Sequence, residues 1–259
     1  MLPLIHLFLL FLVQTACSHA YHVSVSHNTE VHTFRRDYSN VHLIKLGVHS
    51  YLMIDSGSWA EAPHLVAEIQ EKGIELSWIR AIILTHGHWD HASGARYFQD
   101  KFSIPIIAGA GDRGILAQGH SDPLCSTSLI ARILESTNKK TQFESPQVTT
   151  WIDEPTDLSS ILGVPGKIVL IPTHTEGSLV VTLGTVAFMG DLVRGSVIGS
   201  GVETHFYLCD VKANQRAVQL FLQNEGRDVQ EFFPGHFGPR LSREMMVEHF
   251  ELDEVRKSK

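Results

Sequence analysis

The stretch Arg80-Ala81-Ile82-Ile83-Leu84-Thr85-His86-Gly87-His88-Trp89-Asp90-His91 decides the fold. Its first half is a short apolar, β-branched run of the kind that forms a buried strand. Its second half places three imidazoles and a carboxylate within six residues, where that strand opens into a loop. Imidazole nitrogen and carboxylate oxygen are the donors that Zn²⁺ and similar divalent ions accept. Each buried ring also needs a partner for both of its nitrogens, which a histidine cluster without a metal supplies poorly. A lone His-x-His is a weak signal, and with 16 histidines in the chain chance clustering has to be weighed. His-x-His-x-Asp-His directly after a buried strand points to a metal site.

Working outward, Val41–Leu46 and Ser50–Ile54 read as a hairpin pair with Gly47 in the turn. The second strand ends at Asp55-Ser56-Gly57, where a strand hands over to a helix. That helix is expected to take Ser58 as its N-cap, with Pro63 in its first turn, Leu65, Val66 and Ile69 on its apolar face, and Gly73 as a stop. Beyond the histidines, His91–Asp100 reads as a short helix and Ile104–Ala108 as a strand. From Gly109 to Trp151 the pattern loosens into an insertion holding one helix at Ser128–Glu135. Strands return at Lys167–Ile171, Leu179–Leu183 and Val186–Met189, followed by a helix from Val211 to Asn224, a strand at Val229–Phe233 and a helix from Ser242. This order describes two similar halves of sheet and helix, with helices on the outer faces. No linker interrupts residues 21–259, so one domain is expected.

Hydrophobic content of 43% and charged content of 19% are those of an ordinary globular protein. A net charge of −7, with no cluster of Lys and Arg, argues against a nucleic-acid partner. Residues 1–20 differ in kind. Leu2 to Val13 is nearly all apolar, too short to span a bilayer comfortably but matched to a secretory h-region. Ser18 and Ala20 form a small-x-small cleavage pattern that makes Tyr21 the expected mature N-terminus, outside the cytoplasm and free of the membrane. The absence of Lys or Arg before the apolar run leaves a buried N-terminal helix as the other reading. Cys125 and Cys209 then remain, either as a disulfide or as two buried thiols.

Three further polar residues stand where strands end: His174 after Val169–Thr173, Asp191 after Ala187–Gly190, and His236 after Phe232–Gly235. Singly, such an Asp often caps a helix and such a His often bonds backbone. Together they complete a ligand set. One ion held by His86, His88 and His174 would have three imidazoles and an open position, the pattern of a catalytic zinc. A second could take Asp90, His91 and His236, with Asp191 bridging the two.

At these residues the chain resembles the metallo-β-lactamase-fold hydrolase superfamily. His86-x-His88-x-Asp90-His91, Thr173–Ser178, Gly190-Asp191 and Pro234-Gly235-His236 match its motifs in order, over Val41 to Phe237. The resemblance implies a four-layer αββα sandwich of α/β class, with a dinuclear metal site, most simply zinc, at one edge between the sheets. It also matches Asp55 to a residue that supports a ligand. The implied chemistry is hydrolysis of an ester, thioester, lactone or amide in a small molecule by a bridging hydroxide, with Asp90 moving the proton.

Within that superfamily, the true β-lactamases lack a bridging aspartate. Glyoxalase II enzymes usually carry another His at Gly87 and have a C-terminal substrate domain not found after His236. Acyl-homoserine lactonases place a Tyr shortly after the bridging Asp, where Arg194 stands nearest. Arg194, His205 and Tyr207 are therefore the candidate substrate-binding residues, with a salt bridge as the plainer role for Arg194. A mononuclear iron persulfide dioxygenase and a non-catalytic zinc-binding module remain as alternatives.

Overall fold

Alternating side chains sort the β-rich runs into two sheets with three apolar layers between and around them. A computed structural model describes residues 19–26, 28–37, 39–121 and 123–251. The expected leader, residues 1–20, lies outside the described residues except for His19 and Ala20.

The first half runs through β1 (Ala20–Ser26), β2 (Thr29–Arg36), β3 (Ser39–Gly47), β4 (Ser50–Ile54), α1 (Ala62–Glu71), β5 (Ile79–Ile83), α2 (Trp89–Ala92), α3 (Ala95–Phe102), β6 (Ile106–Gly109), α4 (Arg113–Gln118), α5 (Leu129–Lys140) and β7 (Thr150–Ile152). Its strands form a seven-stranded sheet in sequence order, antiparallel from β1 to β4 and parallel from β4 to β7. The second half contains β8 (Thr156–Asp157), α6 (Leu158–Ile161), β9 (Lys167–Leu170), β10 (Leu179–Leu183), β11 (Val186–Gly190), β12 (Arg194–Gly195), β13 (Val202–Glu203), α7 (Val211–Gln223), β14 (Glu231–Pro234), β15 (Leu241–Ser242) and α8 (Arg243–His249). Here the six-stranded order is β15-β14-β11-β10-β9-β8, and β12 pairs with β13 as a separate ribbon.

In β4, Leu52 and Ile54 face the second sheet while Tyr51 and Met53 face Leu65 and Ile69 of α1 and Phe98 of α3. In β11, Val186 and Phe188 face inward while Ala187 and Met189 pack on Val218, Phe221 and Leu222 of α7 and Met246 of α8. The period of two along each strand thus produces the four-layer αββα sandwich. Among the described residues no helix is long and apolar enough to cross a membrane.

Several boundaries depart from the sequence reading. Ser58 does not cap α1: the N-cap is Glu61, and Ser58 instead accepts from the amides of Glu61 and Ala62 through its carbonyl. The helix expected at His91–Asp100 is broken at Ser93-Gly94, where the chain crosses the turn after β4. A Cβ on Gly94 would lie 2.4 Å from the carbonyl oxygen of Ser56, so only glycine fits this crossing. The β1–β2 hairpin was not expected, because its polarity is inverted. Val23 and Val25 are exposed while Ser24 and Ser26 are buried, with Ser26 Oγ 3.2 Å from Thr185 Oγ1. Residues 150–152, expected as the end of the insertion, form the edge strand β7 against β6.

The same alternation places His42 of β3 between the sheets, against the rings of Phe188 and Phe233. Its Nδ1 accepts from Thr33 Oγ1 at 3.0 Å and its Nε2 donates to the Pro234 carbonyl at 3.3 Å. Burial lowers its pKa to about 3, against the opposing pull of that carbonyl. The folded chain therefore takes up this proton less readily than the unfolded one. Stability present above pH ~6.5 is lost as pH falls toward 3, by about 3 kcal/mol at pH 4 from this residue. Urea unfolding of the wild type and a His42→Gln variant at pH 7 and pH 4 checks this. The variant is expected to lose less on acidification; an equal loss would remove His42 from the account.

Candidate metal centre

The C-terminal ends of five strands meet at one edge of the sandwich. They deliver Asp55 after β4, Thr85–His91 after β5, His174 after β9, Asp191 after β11 and His236 after β14. Backbone bonds tie the two sheets together there, with Leu179 N–H donating to Thr85 O at 2.8 Å. Within the second sheet, Gly235 N–H donates to Gly190 O at 2.8 Å. A Cβ on Gly235 would come within 2.3 Å of Asp191 Oδ1 and 2.7 Å of His91 Cε1, so the chain turns past the site only without a side chain.

Two groups of ligand atoms correspond to the expected sets, and a third, Asp191, His205 and His236, overlaps them. One atom each from His86, His88, His174 and Asp191 lie within 4.8 Å of one another, and so do atoms from Asp90, His91 and His236. The Asp191 carboxylate stands between the groups. Its Oδ2 is 3.6 Å from both His86 Nε2 and His174 Nε2 and 3.2 Å from His236 Nε2, and its Oδ1 is 3.3 Å from His91 Nε2. Asp90 Oδ2 lies 3.4 Å from His236 Nε2. All seven residues read as ligands from the sequence are brought together, in the two sets expected. Asp191 Oδ1 and Nε2 of His86 and of His88 are buried without a hydrogen-bond partner. Buried polar atoms are seldom left so, and an imidazole–carboxylate donor set of this kind fits divalent cations.

Burial and the neighbouring imidazoles hold His86 and His174 well below the usual imidazole range. Their lone pairs are thereby kept free, as ligation requires. Burial also opposes the charge on His91, but the carboxylates of Asp191, Asp90 and Asp55 override it and raise its pKa well above the usual value. Asp191 is pushed up by burial, yet His205, His236, His91 and His86 together hold it well below the usual carboxylate range. The pocket is thus built around negative charge balanced by positive charge, which cations can supply.

Asp55 holds the first loop. It accepts from Thr85 N–H at 2.7 Å, from Thr85 Oγ1 at 2.8 Å and from His91 Nδ1 at 2.9 Å, in a left-handed conformation of φ 60° that Asp tolerates better than most residues. Asp112 was missed by the sequence reading. It lies just after β6 and accepts from Gly87 N–H at 2.7 Å, Thr175 Oγ1 at 2.8 Å and Gly177 N–H at 2.8 Å, locking the loops that carry His86, His88 and His174. Its position directly after a buried strand, shared with the other site residues, was the available signal.

The three candidate substrate residues sit in different surroundings. Arg194 donates to the carbonyls of Thr204 and Gly195, pairs with Glu203 and stacks on Phe206 at 4.1 Å. The Tyr207 hydroxyl is turned to α5, donating to Ala131 O and accepting from Asn138 Nδ2, while its carbonyl accepts from His174 Nδ1 at 2.8 Å. A side chain expected to meet substrate thus contributes through its backbone. His205 is brought into the cluster itself, its Nε2 3.1 Å from Asp191 Oδ2.

Cys125 and Cys209 form a disulfide across a separation of 84 residues. It fastens the segment before α5 to the His205–Leu208 strip, where Thr127 N–H donates to Phe206 O and Leu208 N–H to Cys125 O. Removing it in a Cys125→Ala/Cys209→Ala double variant is expected to cost about 2–4 kcal/mol of stability, read by urea unfolding. An unchanged midpoint would contradict a structural role.

The model of the Metallo-beta-lactamase superfamily matches residues 34–236. The probable metallo-hydrolase YflN of Bacillus subtilis (strain 168) is 33% identical over 78 residues, 29% of this chain and 30% of that protein. The chain thus matches less than a third of that curated relative's length. Among solved structures, the β-lactamase MIM-1 from Novosphingobium pentaromativorans superposes with a TM-score of 0.60 at 15% identity, over 91% of this chain and 88% of that one. TTHA1623, crystallised in a di-iron-bound form, gives 0.56 at 23% identity, over 83% and 92%. These structural likenesses are of fold. With the family's sequence pattern spanning most of the chain and both ligand groups assembled, the chain belongs to the metallo-beta-lactamase superfamily.

Proposed function

We propose that this chain hydrolyses a small-molecule ester, thioester, lactone or amide with two divalent ions, zinc in the first instance. His86, His88 and His174 would hold one, Asp90, His91 and His236 the other, and Asp191 both. The observation that carries this reading is the pair of ligand groups sharing one carboxylate. When bound, such ions supply Lewis acidity toward a carbonyl oxygen and make a water nucleophilic at neutral pH. Asp90 would move the proton. Its side chain is 16% exposed while those of Asp191 and His91 are almost fully buried, so it alone of these three meets both the centre and solvent. Asp55 and Asp112 orient the ligands from behind.

The segment between β6 and β7, held by the disulfide beside Tyr207 and His205, is assigned to shaping the substrate. That disulfide and the apolar run at Leu2–Val13 both support an extracytoplasmic location, since disulfides persist in oxidising compartments. The net charge of −7 supports a substrate other than nucleic acid.

A panel of esters, thioesters, lactones, amides and phosphodiesters, assayed with zinc and with iron, tests the reading. Hydrolysis of a carbonyl substrate by the zinc-loaded chain is expected. Oxygen consumption by an iron-loaded chain would favour the dioxygenase instead, and no turnover on any class would favour a binding module.

A further inference from the structure

His205 stands just past β13, as the other ligand residues stand just past their strands. It is 3% exposed, and its ring centroid lies 4.9 Å from that of His174 and 5.2 Å from that of His236. One ligand atom each from Asp191, His205 and His236 lie within 4.8 Å of one another. Asp191 Oδ2 is 3.1 Å from His205 Nε2 and 3.2 Å from His236 Nε2. Two donors bound to one cation at ~2.0–2.2 Å stand roughly 2.9–3.4 Å apart, at right or tetrahedral angles. Both separations fall in that range.

Direction separates a shared cation from a hydrogen bond. A hydrogen on His205 Nε2 would not point at Oδ2: the contact has the length of a hydrogen bond without its alignment. A ligand's lone pair aims at the cation, and so to one side of its fellow ligand. At the back of the ring, Nδ1 meets both polar groups of Tyr207, the amide nitrogen at 3.2 Å and the carbonyl oxygen at 3.4 Å. It therefore has a partner in either tautomer, accepting from the N–H in one and donating to the C=O in the other. The second tautomer frees the Nε2 lone pair beside Oδ2. The same carbonyl accepts from His174 Nδ1 at 2.8 Å, as its two lone pairs allow, so one backbone group backs a ring on each side of Asp191. The strip is held in place by Thr127 Oγ1, which donates to the His205 carbonyl at 2.8 Å, next to the Cys125–Cys209 bond.

We propose that His205 is an additional metal ligand: its Nε2 joins Asp191 and His236 on the ion they hold, while its Nδ1–H donates to the Tyr207 carbonyl. This assignment rests on the two-metal reading above and adds to it a ligand from outside the four sequence motifs. It places the β12–β13 ribbon and the disulfide-fastened strip in control of the second ion, where the motifs alone leave them at its edge.

The magnetic isotope ¹¹³Cd, standing in for zinc, tests it. In ¹H–¹¹³Cd correlation spectra of the loaded wild-type chain, ring protons of His205 and His236 are expected to correlate with the same cadmium, and those of His86, His88 and His174 with the other. A cadmium correlated with His236 but not with His205 would overturn the assignment and leave the two-metal reading standing. A chain that takes up no cadmium would overturn both. In His205→Ala, only the cadmium resonance shared with His236 is expected to move, and the affinity for that ion is expected to fall by more than about 10-fold. An unmoved resonance at unchanged affinity would overturn the assignment.

Discussion

Asp90→Asn is expected to lower kcat by about 10²–10⁴-fold at saturating metal, the usual worth of a positioned acid or base. Asparagine keeps the shape of the side chain and one oxygen for the His236 side of the centre. It cannot accept a proton. Asp90 Oδ2 lies 3.4 Å from His236 Nε2 and 3.9 Å from His91 Nε2, at the more open side of the second ligand group. The buried core contains no part of this side chain, so the unfolding midpoint in urea is expected to stay close to the wild type. Steady-state kinetics with metal analysis of the same sample checks the split. Wild-type kcat in a fully loaded variant would remove the proton-handling role from Asp90.

Asp112→Ala is expected to destabilise the chain by about 2–6 kcal/mol, because it removes the acceptor of three buried donors at ~1–3 kcal/mol for each one orphaned. The donors are Gly87 N–H, Thr175 Oγ1 and Gly177 N–H, and they belong to the two loops that carry the first ligand group. Of the three, Thr175 Oγ1 alone has another partner, Ser178 Oγ at 3.0 Å. Burial raises the Asp112 pKa even though these three bonds pull it down. The same change frees the His86–His88 loop from the His174 loop, so metal uptake should weaken along with stability. Urea unfolding of the metal-free chain separates the two effects, since it reads the hydrogen bonds alone. A loss below about 1 kcal/mol would mean that water replaces the carboxylate in the variant.

The candidate ligand set was legible because its chemistry restricts residue type and its geometry restricts place. Few functions need His and Asp at the ends of apolar strands, and His86–His91 declares itself within one loop. His174, Asp191 and His236 are ambiguous one at a time and become informative only as an ordered set. The layers were legible for a similar reason, since β4 and β11 alternate inward and outward residues without exception. What escaped depended on direction in space. Tyr207 sits beside the centre, but whether its hydroxyl or its carbonyl faces His174 is decided by the bridge to Ser126. Arg194 was read either as a substrate residue or as a salt-bridge partner, and which residue it pairs with, Glu203, was not legible. The β1–β2 hairpin was invisible because its valines point to solvent and its serines inward. The disulfide joins residues 84 apart, a separation over which spacing carries no pairing information.

The central claim is a two-metal hydrolytic centre, and elemental analysis of the purified chain, paired with turnover before and after chelation, tests it most directly. Two equivalents of divalent metal per chain are expected, with turnover lost on chelation and restored by zinc. A chain that carries no metal and hydrolyses its substrate undiminished in the presence of chelator would contradict the account.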